Sequence, residues 1–173
     1  HLMSHQSTTR LHSQYDHGTV SRASKVKGRE AMTMHPEDAA ARGLRDGDVA
    51  RVHNDRGACL AGVRVSDGVK RGVVVLPTGA WYDPLDPAVP GTLEKHGNPN
   101  VLTLDKGTSR LTQGCTAHSC LVEVERFEGE LPPVTAFDPP QLLARTDLHR
   151  RSEEHTSELQ SHHDLVCRLL LEK

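Results

Sequence analysis

Two neighbouring stretches of the chain, rich in apolar residues and joined by a polar turn, set its expected architecture. Residues 48–53 and 58–66 read as strands; in the second, Val63 and Val65 alternate with Arg64 and Ser66. Between them, Asn54-Asp55-Arg56-Gly57 supplies the residues of a tight hairpin turn. Residues 30–34 predict a short strand. His35-Pro36-Glu37-Asp38 then opens a helix, with Pro36 where a missing N–H costs nothing and two acidic side chains at the positive end of the helix dipole. Ala39 to Arg42 continues that helix, and Gly43 ends it as a left-handed cap. Residues 73–76, Val-Val-Val-Leu, form a continuous apolar run, which predicts a strand buried on both faces. Residues 81–92 are rich in Pro and Asp and predict a loop. Residues 97–100 predict a turn, and 101–104 are ambiguous. Residues 121–127 alternate again and predict the last strand. Five or six short strands at this spacing predict a mainly β fold, a closed barrel with short helices and no free sheet edge. Residues 128–150 are Pro-rich and are expected to trail over the surface.

Composition narrows the picture. The 173 residues fit one domain with a tail. Aromatics make up only 3% against 35% hydrophobic residues, so the core must be aliphatic. The net charge of -2 excludes the blanket basic field of a general nucleic-acid binder. No apolar run is long enough for a membrane-spanning helix. Cys59, Cys115, Cys120 and Cys167 lack paired spacing, so neither a zinc site nor a disulfide scaffold is expected. The chain starts at His1 without a leader pattern, and is expected to be a fragment.

The last 23 residues change character: Gly and Pro vanish. Leu165, Leu169 and Glu172 have helical spacing, which is one reading. The other is that residues 151–162 and 164–173 resemble in-frame translations of the two ends of a common DNA sequencing adapter, in the right order. Residues 151–173 are therefore set aside as adapter-derived. Removing their three basic and five acidic residues from 21 and 23 leaves eighteen of each, so the body is neutral. The expected layout is a barrel over 1–140, a surface tail over 141–150 and the artefact beyond.

Three polar stretches are candidates for chemistry. Residues 4–14, SHQSTTRLHSQ, are dense in hydrogen-bonding side chains; Arg10, His12, Ser13 and Gln14 could clamp phosphates and a polar heterocycle, or simply form a solvated loop. His96-Gly97-Asn98-Pro99-Asn100 combines a glycine that permits close backbone approach with two amides that donate and accept; an ordinary Asn-Pro turn is the alternative. Thr108-Ser109-Arg110-Leu111-Thr112-Gln113-Gly114 can offer N–H groups to a phosphate, but does not match the phosphate-binding loop of nucleoside triphosphatases. Trp81 and Tyr82 could line a funnel or cover the barrel end. Cys115, His118 and Cys120 lack the further ligands of a metal site. No nucleophile elbow supports a Ser-His-Asp triad.

Taken together, HLMSHQSTTRLHSQ, GREAMTMHPEDAAARGLRDGDVARVHNDRGACLAG, GVVVLPTGAWYDP and HGNPNVLTLDKGTSRLTQGC resemble the C-terminal domain of the dimethyl sulfoxide reductase family of molybdenum enzymes, over about residues 1–140. RGACLAG, HGNPNVLT and TSRLTQGC are most similar to the biotin sulfoxide reductases. The resemblance implies a double-psi β-barrel that caps bis(molybdopterin guanine dinucleotide). It implies cofactor contacts at Gln6, Arg10, His12, Ser13, Asn98, Asn100, Gln113 and Gly114; charge and hydroxyl chemistry, rather than the resemblance, suggest phosphate contact by Arg10 and Ser13. Gln6 is the weaker member, because Ser7 stands near where the family often carries Pro. The implied reaction is removal of oxygen from an S- or N-oxide. Its implied partners are the preceding domains of the same enzyme, the small-molecule oxide and an electron donor. In this subfamily a serine of a preceding domain ligates molybdenum, so no residue here is expected to be catalytic or a metal ligand. Cytoplasmic location is implied, with the periplasm as alternative. The competing readings are a trimethylamine N-oxide or dimethyl sulfoxide reductase, which are next in similarity, a formate dehydrogenase, a nitrate reductase, or a free-standing non-catalytic barrel module.

Overall fold

Residues 1–114 and 120–139 are described by a computed structural model of the chain. The chain divides into two units, His1–Asp138 and Pro139–Lys173. Beyond Pro139 the second unit, with the adapter-like stretch, lies outside the described residues.

The first unit is built on one mixed sheet of six strands: β1 Leu2–Met3, β2 Ala31–Met34, β3 Val49–Asn54, β4 Gly57–Val65, β5 Val74–Val75 and β6 Glu123–Arg126. Their order is β1-β5-β2-β4-β3-β6. The β3–β4 hairpin follows the sequence expectation closely. Its ladder runs from Val49 opposite Gly62 to Asn54 opposite Gly57, leaving Asp55 and Arg56 as the turn. β6 extends the sheet antiparallel to β3, with Val124 opposite Val52. β2 runs parallel to β4, and β1 parallel to β5.

Two expectations are corrected. The run at 73–76 is not buried on both faces: Val74 and Leu76 are buried while Val73 and Val75 are half-buried, and only Val74–Val75 is strand. The strand covered on both faces is β4, where Cys59 to Val63 are all buried. It lies between β2 and β3, its Cys59, Ala61 and Val63 face the core, and Gly62 lets Val26 pack against the other side. Second, the sheet is not closed. β1 and β6 remain its outer strands, and among the described residues Leu2 of β1 makes one antiparallel bridge to Cys120, ahead of β6, in which the Leu2 N–H donates to the Cys120 carbonyl at 2.8 Å.

Two short helices flank the sheet. α1, Thr19–Ser24, was not legible in the pattern of apolar residues, because its buried residue is Ser21, a polar one. α2, Pro36–Ala41, forms as expected: His35 caps it through a ring nitrogen that accepts from the Glu37 N–H, and Gly43 leaves it with φ +64°. A single 3-10 turn, Pro99–Val101, precedes the fully buried Leu102. No helix among the described residues is long and apolar enough to cross a membrane.

The core is aliphatic: Leu2, Met32, Leu44, Val52, Val63 and Leu102 belong to it, with no aromatic ring. The segment after β6 does not trail freely as far as it is described. Thr135 and Phe137 pack back on the loop around Trp81. Met32→Ala is expected to cost about 2–5 kcal/mol, whereas Leu111→Ala, at a 97% exposed position, is expected to stay within about 0.5 kcal/mol. Denaturant unfolding followed by the single tryptophan measures both.

Candidate functional site

The loop after β1 is shaped from behind by buried charge. The side chain of Arg10 has no exposed surface. Its Nη2 donates to the Thr78 carbonyl at 2.9 Å and lies 3.1 Å from Glu30, and its Nη1 donates to Ser21 Oγ at 3.2 Å. Lys25 Nζ is 2.8 Å from both Asp16 and Glu30. Asp16 also accepts from Ser21 Oγ and from the Trp81 N–H, at 3.0 and 2.9 Å. Two cations thus balance two carboxylates in a dry quartet. Burial alone would raise the Asp16 carboxyl, but hydrogen bonds from Lys25 and Trp81, with the charges of Lys25 and Arg10, hold it below its usual range.

This quartet pins the residues on either side of a tight turn at 11–14, where the Gln14 N–H donates to the Leu11 carbonyl. His12 and Tyr15 take left-handed backbone angles, φ +50° and +61°. The turn sits directly on Gly79 (φ +96°), where any Cβ would collide with the His12 carbonyl. Trp81 Nε1 donates to the Ser13 carbonyl at 2.7 Å. The local backbone is therefore fixed, while the His12 and Ser13 side chains stay exposed.

A second turn meets the first. Glu94, fully buried beside Cys59 of β4, directs its carboxylate at successive backbone N–H groups of His96, Gly97 and Asn98, at 2.9, 2.7 and 2.8 Å. Gly97 (φ +94°) allows that turn to press on Glu30. Asn98 Oδ1 accepts from the Asn100 N–H, so the two amides share one bend. His96 is fully buried; its Nδ1 must carry the proton to donate to the Trp81 carbonyl at 2.8 Å, and burial, then the Lys25 charge, lower its pKa. Phe137 stands edge-on against both His96 and Trp81.

Between the turns lies a cleft of about 440 Å³. His12, Ser13, Asn98 and Asn100 line it with Thr78 and Trp81. None of its lining residues is an Asp, Glu, Lys or Arg. Amides, hydroxyls, an imidazole and an indole suit a polar heterocycle, which offers donors and acceptors in one plane and a face to pack on a ring. A larger hollow, about 600 Å³, runs along β6, but its lining mixes Arg42, Arg51 and Arg126 with Glu125 and Glu128, and no motif falls there.

The other expected contacts lie elsewhere. Arg10 acts behind the cleft; a guanidinium without exposed surface does not fit the phosphate contact expected of it. Gln6 is exposed and braces its own loop, donating to the Arg10 carbonyl at 3.2 Å. Gln113 donates to the Ser109 carbonyl, and the Gly114 carbonyl accepts from the Thr108 N–H, so both serve the 107–114 loop itself and neither lines the cleft. Cys115 and His118 lie outside the described residues, while Cys120 is buried and donates its thiol to the Leu102 carbonyl. Sequence reasoning missed Asp16, Lys25, Glu30 and Glu94. Isolated charges in polar segments give no signal of burial; the one available clue was the pairing of an acidic residue with a following Gly-Asn turn.

Loops that converge beside a mixed sheet to form a neutral, hydrogen-bonding cleft define a small ligand-binding β domain. Comparison with known proteins sharpens this. The family model described as Molydopterin dinucleotide binding domain matches residues 1–121, and the chain belongs to that family. It is 50% identical over 142 residues to the dimethyl sulfoxide/trimethylamine N-oxide reductase of Rhodobacter capsulatus, covering 82% of this chain and 17% of that protein. It is 51% identical over 130 residues to the biotin sulfoxide reductase of Cereibacter sphaeroides, covering 75% and 17%. It is 50% identical over 132 residues to the trimethylamine-N-oxide reductase of Vibrio cholerae, covering 76% and 16%. The chain thus spans about a sixth of the length of these relatives. Among solved structures, acetylene hydratase from Pelobacter acetylenicus superposes with a TM-score of 0.58 at 15% identity, over 73% of this chain and 18% of that one, a likeness of fold.

Removing Arg10 leaves buried carboxylates short of a cation. Arg10→Ala is expected to cost about 3–5 kcal/mol and to shift Trp81 emission, since Trp81 is the only tryptophan and shares Asp16 with Arg10. Because the folded Asp16 value lies below the ordinary carboxyl value of 3.8, its stabilisation is present above that pH and lost as the pH falls through the lower folded value. An acid titration of wild type and Asp16→Asn measures the difference.

Proposed function

We propose that this chain is the cofactor-binding domain of a larger molybdenum oxidoreductase that removes oxygen from S- or N-oxides, with bis(molybdopterin guanine dinucleotide) as its cofactor. The convergence of residues 12–13 and 98–100 on one uncharged cleft carries this reading. The donor set fits a nucleotide heterocycle: Asn98 and Asn100 each offer an amide that donates and accepts, Ser13 and Thr78 add hydroxyls, and Trp81 offers an indole wall. When bound, the cofactor supplies the oxygen-transfer and electron chemistry. The residues of this chain bind and orient it. His12 and Ser13 are held by the buried quartet, and Asn98 and Asn100 by their turn. No residue of this chain is assigned catalysis.

The finer architecture belongs to the same proposal. The parallel pairs β1–β5 and β2–β4, together with the bridge from Leu2 of β1 to Cys120 ahead of β6, support a double-psi β-barrel. Biotin sulfoxide is a fitting substrate through the named relative, as are trimethylamine N-oxide and dimethyl sulfoxide. The preceding domains of the enzyme supply the remaining walls of the cofactor site, an electron donor completes the cycle, and the cytoplasm is the proposed location.

The test grafts this chain in place of the matching 142-residue region of the Rhodobacter capsulatus reductase. The chimera is expected to purify with molybdenum and to reduce an S- or N-oxide. Asn98→Ala and Asn100→Ala are each expected to lower molybdenum content about tenfold. Unchanged content in both variants, or a folded chimera without molybdenum, contradicts the proposal.

A further inference from the structure

Asn98 reaches the cleft because of a side chain that does not. Glu94 is held to β4 on both sides, its N–H donating to the Ala58 carbonyl and its own carbonyl accepting from the Leu60 N–H, at 3.0 and 2.8 Å. Its carboxylate then lies inside the next turn. Oε1 accepts from the N–H groups of His96 and Asp83 at 2.9 and 3.2 Å, and Oε2 from those of Gly97 and Asn98 at 2.7 and 2.8 Å. Four donors and no ion-pairing cation surround it among the described residues. Gly97 permits the wrap, because its φ of +94° lets three consecutive amides point inward.

We infer that Glu94 is the positioning residue of the cleft, an internal anion that gathers four backbone N–H groups and so fixes the bend on which Asn98 and Asn100 are presented to the cofactor. What the bend binds rests on the function proposed above; how the bend is held does not.

The surroundings make this anchor sensitive to protons. The groups that face it are Cys59 on β4, Arg29 before β2, Asp83 on the neighbouring loop, and His96 within the turn. The Glu94 charge helps push the Cys59 thiol up and partly offsets the burial that lowers Arg29. Asp83 is occupied by Thr135 and by Lys95 at 3.2 Å, which holds it low. Burial raises Glu94 to about 7, against the downward pull of its four N–H donors. Ionised, both oxygens accept. Protonated, one oxygen turns a hydrogen toward an amide that then lacks its partner. The bend is therefore tightest above neutral pH and loosens below it, and cofactor retention follows the same direction.

Global stability runs the other way. A folded value raised from 4.5 to about 7 means that the Glu94 contribution is fully present below 4.5 and is lost as the pH rises to about 7. His96, whose folded value is lowered, opposes this in an overlapping window, so the Glu94 part is read from the difference between wild type and Glu94→Gln.

The experiment uses the full chain labelled with nitrogen-15. In wild type, the amide resonances of His96, Gly97 and Asn98 are expected to titrate together with one midpoint near 7. In Glu94→Gln the titration disappears, and exchange of the Gly97 and Asn98 amides accelerates about tenfold or more while those of Val52 and Ala61 change little. The unfolding midpoint of wild type relative to Glu94→Gln is expected to fall between 4.5 and about 7. Amides that do not titrate together overturn the inference, as does unchanged exchange in the variant. The wild-type titration stands even where Glu94→Gln does not fold. Neither readout needs the cofactor: a normal titration beside unaltered molybdenum content in the Asn98 and Asn100 variants overturns the function and leaves the role of Glu94 standing.

Discussion

A carboxylate taken out of water must be met by donors, and three of them in this chain are met around a single cleft. Asp16 and Glu30 share the ammonium of Lys25 and lie against the guanidinium of Arg10. Among the described residues, Glu94 accepts hydrogen bonds from backbone amides alone. Each solution imposes a backbone path. The first draws the loop after β1 down onto Thr78 and Trp81; the second curls residues 96–98 around a buried oxygen pair. Because unpaired charge in such a place costs several kcal/mol, these paths have few alternatives. The cleft is what lies between them, and its uncharged lining follows from the charges having been placed behind it.

The sheet provides the fixed frame for this arrangement. Its aliphatic core keeps β2, β3 and β4 in register, and the long buried strand β4 holds Glu94 through its own ladder positions. Two aromatic rings, absent from the core, stand at or beside the cleft instead: Trp81 lines it and holds the first turn through Ser13, and Phe137 packs edge-on against Trp81 and His96. Asp83 binds that closing segment by accepting from the Thr135 and Ala136 amides. The site is thus built from loops, and the loops are immobilised by buried polar contacts rather than by apolar packing.

Local signals were legible and long-range ones were not. The β3–β4 hairpin and α2 could be read because alternation, turn residues, a helix-starting Pro and a terminal Gly all act within a few residues. β1 escaped because a two-residue strand carries no periodicity and exists only through pairing across more than seventy residues, whereas β5 lies within the expected run at 73–76 and only its one-sided burial could not be read. α1 escaped because its inner face is Ser21, which serves a hydrogen-bond network. The same distinction runs through the site. Neutral side chains in polar turns, His12, Ser13, Asn98 and Asn100, were found and do line the cleft. Arg10 was found for its charge and turned out to spend it inwardly. Gln113 and Gly114 stabilise their own loop. The family resemblance pointed to two segments that line the cleft, and the pattern of burial separates side chains exposed to it from those that hold the backbone still.

The central claim is that two turns, held from behind by buried charge, form one cofactor site. Hydrogen–deuterium exchange on the chimeric reductase carrying this domain, compared with and without the proposed cofactor, tests it most directly. The account expects slower exchange at residues 12–13, 78–82 and 97–100 together on loading, with no change along β6. Protection confined to the hollow beside β6, or absent from one of the two turns, would contradict it.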